Sequence, residues 1–164
     1  GFILPGVGSY DAGMRSMRNL NLDKLVQEFV GRKIKGMGIC LGMQMLCERS
    51  EEGDSREPGL SVFKGLIKRL SPEDDCVPNI GWSRVESKPS VNSLGSSLII
   101  DGEYYFAHSY ALDSTCSNHV VATIKHGRKD IPVAIYKDNI LGVQFHPEKS
   151  QIDGLSLIKN YFEE

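Results

Sequence analysis

Two short segments concentrate side chains able to make and break a covalent bond. In Gly38-Ile39-Cys40-Leu41-Gly42 a cysteine stands between two glycines, the G-x-nucleophile-x-G form of a nucleophile elbow with sulfur in place of oxygen. A strand that turns abruptly into a helix brings neighbouring backbone close, and small residues on either side of the nucleophile tolerate that approach. The side chain is then presented at the carboxyl end of a sheet. A free thiol titrates at about 8.5, but a helix N-terminus and a nearby imidazolium both favour thiolate, so the location suits a nucleophile. The Leu41 amide points into the same space as a candidate oxyanion donor. The commoner fate of a lone cysteine is burial in a core, and the paired glycines are what shift Cys40 towards catalysis.

The second segment is Gln144-Phe145-His146-Pro147-Glu148, which follows the apolar run Ile140 to Val143 and so falls at the end of another strand. Residues two apart in extended chain share a side. His146 can therefore take the thiol proton and later protonate a leaving amine, while Glu148 accepts from the other ring nitrogen and fixes tautomer and orientation. Taken alone, a His-Pro-Glu tripeptide is more often an ordinary solvated loop.

Pro5-Gly6-Val7-Gly8 forms a third strand-end loop, able to supply backbone N–H groups to a tetrahedral oxyanion, although such loops are more often plain turns. It lacks both phosphate-cradling glycine patterns. His108-Ser109-Tyr110 ends a further strand-like run, where lining the same pocket and purely structural roles are equally open. His119 and His126 lack ligand-like spacing and read as surface or structural residues, so neither a metal nor a cofactor is expected.

The elements that must hold these groups follow from periodicity. Phe2-Ile3-Leu4 reads as a strand emptying into the glycine-rich loop, with helical sequence from about Asp11. Leu22, Leu25, Val26, Phe29 and Val30 trace one amphipathic helical face, and Gly36 to Cys47 reads as strand, sharp turn, helix. A charged stretch from Glu48 to Gly59 predicts an exposed loop. The second half is strand-rich, over 62–70, 82–86, 104–112, 119–125, 132–137 and 140–145. A last helix carries Ile152, Leu155, Ile158 and Phe162 on one face, with Ser150 capping its first turn. Strand-loop-helix units at both ends are those of a doubly wound α/β sheet in a single domain spanning 1–164.

Composition narrows the function classes. A chain of 164 residues, 40% hydrophobic and 24% charged, fits one globular domain. Its formal net charge of −2 gives no electrostatic argument for nucleic acid or an anionic membrane surface. No apolar run reaches the roughly 18 residues of a membrane span, and no signal-peptide pattern is present. Cys40, Cys47, Cys76 and Cys116 show no Cys-x-x-Cys spacing, so reduced thiols and the cytoplasm are expected.

At this point the sequence resembles the class I (triad) glutamine amidotransferases, and within them the HisH-type glutaminase subunits of imidazole glycerol phosphate synthase. The ordered markers run along nearly the whole chain: Leu4-Pro5-Gly6-Val7-Gly8, Gly38 to Gln44, Ser50-Glu51-Glu52-Gly53, Gly81-Trp82, Phe106 to Tyr110, and Gly142 to Gln151. The resemblance implies a flavodoxin-like α/β fold with a mixed, largely parallel sheet flanked by helices. It also implies an amino-terminal truncation, the family's opening strand, helix and second strand falling before Gly1. By the same resemblance Cys40 attacks the side-chain amide of L-glutamine, and His146 shuttles the proton. Gly6, Gln44, Glu52, Ser109 and Tyr110 hold the substrate, and Val7 and Gly8 join Leu41 in the oxyanion hole. The partner it implies is a HisF-like (β/α)8-barrel cyclase that receives ammonia through a channel and forms imidazole glycerol phosphate and AICAR in histidine biosynthesis. One departure stands out. Pro78-Asn79-Ile80-Gly81-Trp82 replaces the His-Met that usually precedes Gly-Trp in histidine-pathway members. A HisH-like paralogue feeding another synthase, such as one amidating a surface-polysaccharide sugar, is therefore an alternative. A non-catalytic assembly module and a stand-alone cysteine hydrolase are two more.

Overall fold

The computed structural model describes residues 1–53, 57–88, 97–113 and 118–163. Among these residues ten strands and four α-helices follow in order: β1 (Phe2–Leu4), α1 (Tyr10–Asn19), α2 (Leu22–Gly31), β2 (Gly36–Ile39), α3 (Leu41–Leu46), β3 (Arg49–Ser50), β4 (Leu66–Arg69), β5 (Asn79–Ser87), β6 (Gly102–His108), β7 (Tyr110–Leu112), β8 (Val120–His126), β9 (Lys129–Lys137), β10 (Ile140–Val143) and α4 (Gln151–Glu163). A 3-10 turn at Pro147–Lys149 precedes α4. Cys116 lies outside the described residues.

Seven strands form one sheet in the order β1-β2-β10-β9-β8-β5-β6, and a small sheet β3-β4-β7 stands beside it. The sheet is mixed, as expected, but the share of parallel pairing is smaller than expected. Only the pairs β1-β2 and β2-β10 of this sheet are parallel, and every pair from β10 to β6 is antiparallel. The cause is local. Two-residue turns join β8 to β9 through Gly127 (φ 59°) and β9 to β10 through Asp138 (φ 53°), and such turns impose antiparallel hairpins.

The pleat sorts the core into two layers. Met37 and Ile39 of β2 and Leu141 and Val143 of β10 bury on one face with Phe145, Leu157 and Tyr161. On the other, Tyr10, Met14 and Met17 of α1 pack with Leu41, Met43 and Leu46 of α3. Alternation at period two on strands buried on both sides requires this arrangement.

Three expectations need correction. The run over 104–112 is not one strand. It breaks at Ser109, where the chain leaves the large sheet for the small one and Tyr110 pairs with Arg69. On α2, Val26 is buried whereas Leu22 and Leu25 are 40% and 41% exposed, because α2 packs beside the edge strand β1, with Phe29 against Phe2. On α4 the inward face is Gly154, Leu157 and Tyr161, while Ile152 and Leu155 point outward. Tyr161 fixes that rotation by donating its hydroxyl to the carbonyl groups of Gly36 and Asn139. A count of aliphatic residues alone cannot register a buried glycine and tyrosine.

Candidate active site

Cys40 is the residue at which β2 becomes α3. Its backbone sits at φ 52° and ψ −109°, a conformation side chains rarely adopt and one typical of strained nucleophile turns. The flanking glycines are required sterically. A Cβ on Gly42 would lie 1.8 Å from the carbonyl oxygen of Leu4, and one on Gly38 would lie 2.6 Å from Leu46 Cδ1. Strand β1 can therefore pass the elbow only because position 42 carries no side chain.

The thiol's electrostatics differ from the expectation. Burial pushes the Cys40 thiol up, and the hydrogen bonds from the Leu41 N–H and the Gln144 amide pull it down without prevailing. A resting thiol results, so the site needs a base within reach. Gln144, two residues before His146, is fully buried and donates to Cys40 Sγ at 3.6 Å. Its carbonyl accepts from Gln44 Nε2 at 3.0 Å, and the same nitrogen donates to the Tyr110 carbonyl at 3.1 Å. The available signal was a polar residue inside an apolar strand end, on the same side of the pleat as Gly142 and His146.

His146 is 4% exposed, and its Nδ1 lies 2.8 Å from Glu148 Oε1. A carboxylate only accepts, so Nδ1 carries the proton and Nε2 is left as the basic nitrogen. The pairing does not arise from extended spacing, as the sequence suggested. Glu148 lies in the 3-10 turn that follows His146, and the turn brings its carboxylate back to the ring. The His146 N–H donates to the Tyr105 carbonyl at 2.8 Å. Ser150, expected to cap α4, is used otherwise. Its hydroxyl donates to the His146 carbonyl at 2.6 Å and accepts the Tyr105 N–H at 3.0 Å. Three hydrogen bonds thus clamp the histidine to β6.

These groups open on one cavity of about 410 Å³. Val7, Gly8, Cys40, Leu41, Gln44, Glu52, Ser109, Tyr110 and His146 all line it. Two anticipated residues do not. Gly6 sits behind the wall, where a Cβ would come within 2.9 Å of Leu41 Cβ, and Glu148 acts on the far side of the His146 ring. Val7 projects outward at 83% exposure, and Gly8 takes φ 101°. Glu52 faces the cavity while accepting the Tyr10 N–H at 2.9 Å.

Sequence reasoning missed Pro78, Ile80, Ala107 and Lys149 as lining residues. His108 also lines the cavity and is buried. Nδ1 donates to the Tyr110 carbonyl at 2.9 Å, so Nε2 accepts from Asn79 Nδ2 at 3.2 Å. Burial holds its imidazole down at about 4, neutral at pH 7. Cys40, Cys47 and Cys76 are free thiols. Among the described residues no group of three or more His, Cys, Asp or Glu side chains is arranged for a metal ion, and no helix is long and apolar enough to cross a membrane.

A thiol on an elbow, an imidazole oriented by a carboxylate, and a cavity in front of both are the parts needed for acyl transfer through a thioester. The family comparison agrees with that chemistry. Residues 2–164 match the family model described as glutamine amidotransferase class-I, and the chain belongs to that family. Among curated relatives, it is 39% identical over 160 residues to the imidazole glycerol phosphate synthase subunit HisH of Trichodesmium erythraeum, covering 97% of this chain and 74% of the relative. To the HisH subunit of Thermosynechococcus vestitus it is 38% identical, over 97% of this chain and 76% of the relative. Among solved structures, a crystal structure of a glutamine amidotransferase superposes with a TM-score of 0.70 at 18% identity, covering 98% of this chain and 76% of the other. PurLQS from Thermotoga maritima gives 0.67 at 15% identity, over 98% and 78%. At those identities the structures speak to the fold alone.

Proposed function

We propose that this chain, as a single glutamine amidotransferase domain, is the glutaminase subunit of an imidazole glycerol phosphate synthase. It releases ammonia from L-glutamine for a HisF-like (β/α)8-barrel subunit in the cytoplasm. The observation that carries the reading is the opening of the Cys40 thiol and the Glu148-oriented His146 ring onto one cavity that Gln44, Glu52, Ser109 and Tyr110 also line. Curated relatives named as HisH subunits, at 36–39% identity, support the pathway.

His146 Nε2 takes the Cys40 proton as sulfur bonds to the side-chain amide carbon of glutamine, moving one electron pair onto the amide oxygen. The N–H groups of Leu41 and of the Val7-Gly8 loop stabilise that oxyanion. Collapse breaks the C–N bond, and the proton held by His146 passes to nitrogen, which leaves as ammonia. Water then adds to the thioester with His146 as base, the C–S bond breaks, sulfur recovers a proton and glutamate departs. The sum is glutamine plus water to glutamate plus ammonia. Gln44, Glu52, Ser109 and Tyr110 hold the amino-acid end of the substrate, with Gly6 supporting the loop. Glu52 meets its ammonium.

The test mixes the protein with a HisF-type barrel and measures glutamate release. Strong stimulation is expected, together with stoichiometric labelling by a glutamine-analogue electrophile that disappears in Cys40→Ser. Glutamine hydrolysis that no HisF-type barrel stimulates would redirect the ammonia to another synthase. Absence of labelling would leave an assembly module, and cleavage of peptides in place of glutamine a different hydrolase.

A further inference from the structure

Glu52 has a second contact that its place in the cavity does not require. One of its oxygens accepts the Tyr10 N–H at 2.9 Å, and Tyr10 is the first residue of α1. The N-cap residue of that helix, Ser9, makes no side-chain cap of its own. The acceptor for an amide in the first turn is thus supplied from 42 residues away. The donor segment is itself fixed. The Glu52 N–H donates to Ser50 Oγ at 3.0 Å, and the Glu51 N–H to the Ile67 carbonyl at 2.8 Å. Gly53 (φ 91°) lies against the first turn of α1 so closely that a Cβ there would come within 2.2 Å of Asp11 Oδ2.

What the capped helix end controls is the loop before it. Residues 5–9 run from β1 to α1 and include Val7 and Gly8 on the cavity wall. Their first end is held by β1 pairing with β2, Leu4 opposite Gly38. Their second end is the first turn of α1. Between these ends Gly6 rests on Leu41, and Val7 is 83% exposed. A span so lightly packed takes its position from its two anchors.

We infer that Glu52 is a positioning residue for the Val7-Gly8 loop, its carboxylate capping α1 with one oxygen while the same group faces the ligand. This rests on the proposed glutaminase function and deepens it. A carboxylate offers about four acceptor sites over two oxygens, so it can hold the Tyr10 amide and receive an ammonium together. Substrate binding at Glu52 and the placing of the oxyanion donors are then linked through one side chain.

The test separates charge from capping. Glu52→Gln keeps a carbonyl acceptor for Tyr10 and loses the charge, whereas Glu52→Ala loses both. Steady-state glutamine hydrolysis by the full chain is expected to show a raised KM in both variants. The alanine variant is expected to lose about tenfold to a hundredfold in kcat, less than or comparable to deleting an oxyanion donor. The glutamine variant is expected to recover most of that loss. Alkylation of Cys40 by iodoacetamide, which develops no carbonyl oxyanion, is expected to stay near wild type in both. Hydrogen exchange at the Tyr10 amide is expected to accelerate in Glu52→Ala and not in Glu52→Gln. Equal kcat in the two variants, whether preserved or reduced, would overturn the inference, as would a parallel fall in alkylation. A wild-type chain that hydrolyses no glutamine even with a HisF-type barrel present, and whose Cys40 takes no glutamine-analogue label, would instead refute the glutaminase reading, and Tyr10 exchange would still decide whether Glu52 caps the helix.

Discussion

Replacing Ser150 by alanine is a sharp test of how the histidine is held. Ser150 is 1% exposed, and its hydroxyl satisfies two backbone groups, the Tyr105 N–H at 3.0 Å and the His146 carbonyl at 2.6 Å. Alanine preserves the packing and leaves the Tyr105 N–H unmet, while the His146 carbonyl keeps the Lys149 N–H at 3.0 Å. A buried polar group without its partner costs roughly 1–3 kcal/mol, so the change is expected to cost about 2 kcal/mol. In a chain of this size each kcal/mol lowers Tm by about 2–4 °C, which puts the shift near 4–8 °C. The clamp also fixes His146 against β6, so kcat is expected to fall by about tenfold or more as the imidazole loses its place. KM is expected to hold, because Ser150 does not line the cavity. Thermal unfolding followed by circular dichroism, with glutamate release at saturating glutamine, reads both effects. An ordinary helix cap would cost about 1 kcal/mol and leave kcat alone. A shift under about 3 °C with unaltered kcat would therefore refute the clamp.

The close passage of β1 over the elbow predicts that Gly42→Ala, whose Cβ would lie 1.8 Å from a backbone oxygen, costs about 4 kcal/mol or more by urea denaturation. Gly31→Ala, with nothing within 4 Å of the added carbon, is the neutral control. Removing the Gln144 amide in Gln144→Met takes away one of the two hydrogen bonds that lower the Cys40 thiol, so the pH midpoint of its alkylation is expected to rise. An unmoved midpoint would exclude that role. For His108 the sign follows from burial, which depresses the native value to about 4 against 6.5 when unfolded. The unfolded chain then binds the proton more readily, so this contribution is intact above pH 6.5 and is eroded as pH falls towards 4. By pH 5 the loss reaches about 2 kcal/mol. The urea midpoint is expected to drop between pH 7 and pH 5, and less so in His108→Gln.

Much of the site was legible because its parts are local. The glycines around Cys40 carry a steric requirement that any elbow must meet, and His146 and Glu148 are close enough in sequence for a turn to join them. The remainder depends on partners that no window contains. Glu52 meets Tyr10, Gln144 meets Cys40 and Ser150 meets Tyr105, each across tens of residues. The thiol's behaviour was misjudged for a related reason. A helix end and an imidazolium can be inferred from neighbouring residues, whereas burial is a property of the assembled core, and here it outweighs the hydrogen bonds from Leu41 and Gln144. In the fold, apolar periodicity located the strands but not their directions, which the turns at Gly127 and Asp138 decide. The face of α4 eluded a count of aliphatic side chains because Gly154 and Tyr161 occupy it.

The buried thiol also bears on the protein's durability under oxidative stress. Peroxides attack thiolate far faster than thiol, and the first product, a sulfenic acid, leads on to irreversible oxidation states. A nucleophile that rests protonated, 7% exposed and shielded by Gln144, spends little time as the vulnerable species. In the proposed mechanism, ionisation is deferred until His146 removes the proton during attack on a bound substrate. The exposed Cys76 thiol meets solvent oxidants first, at a distance in the chain from the catalytic elbow.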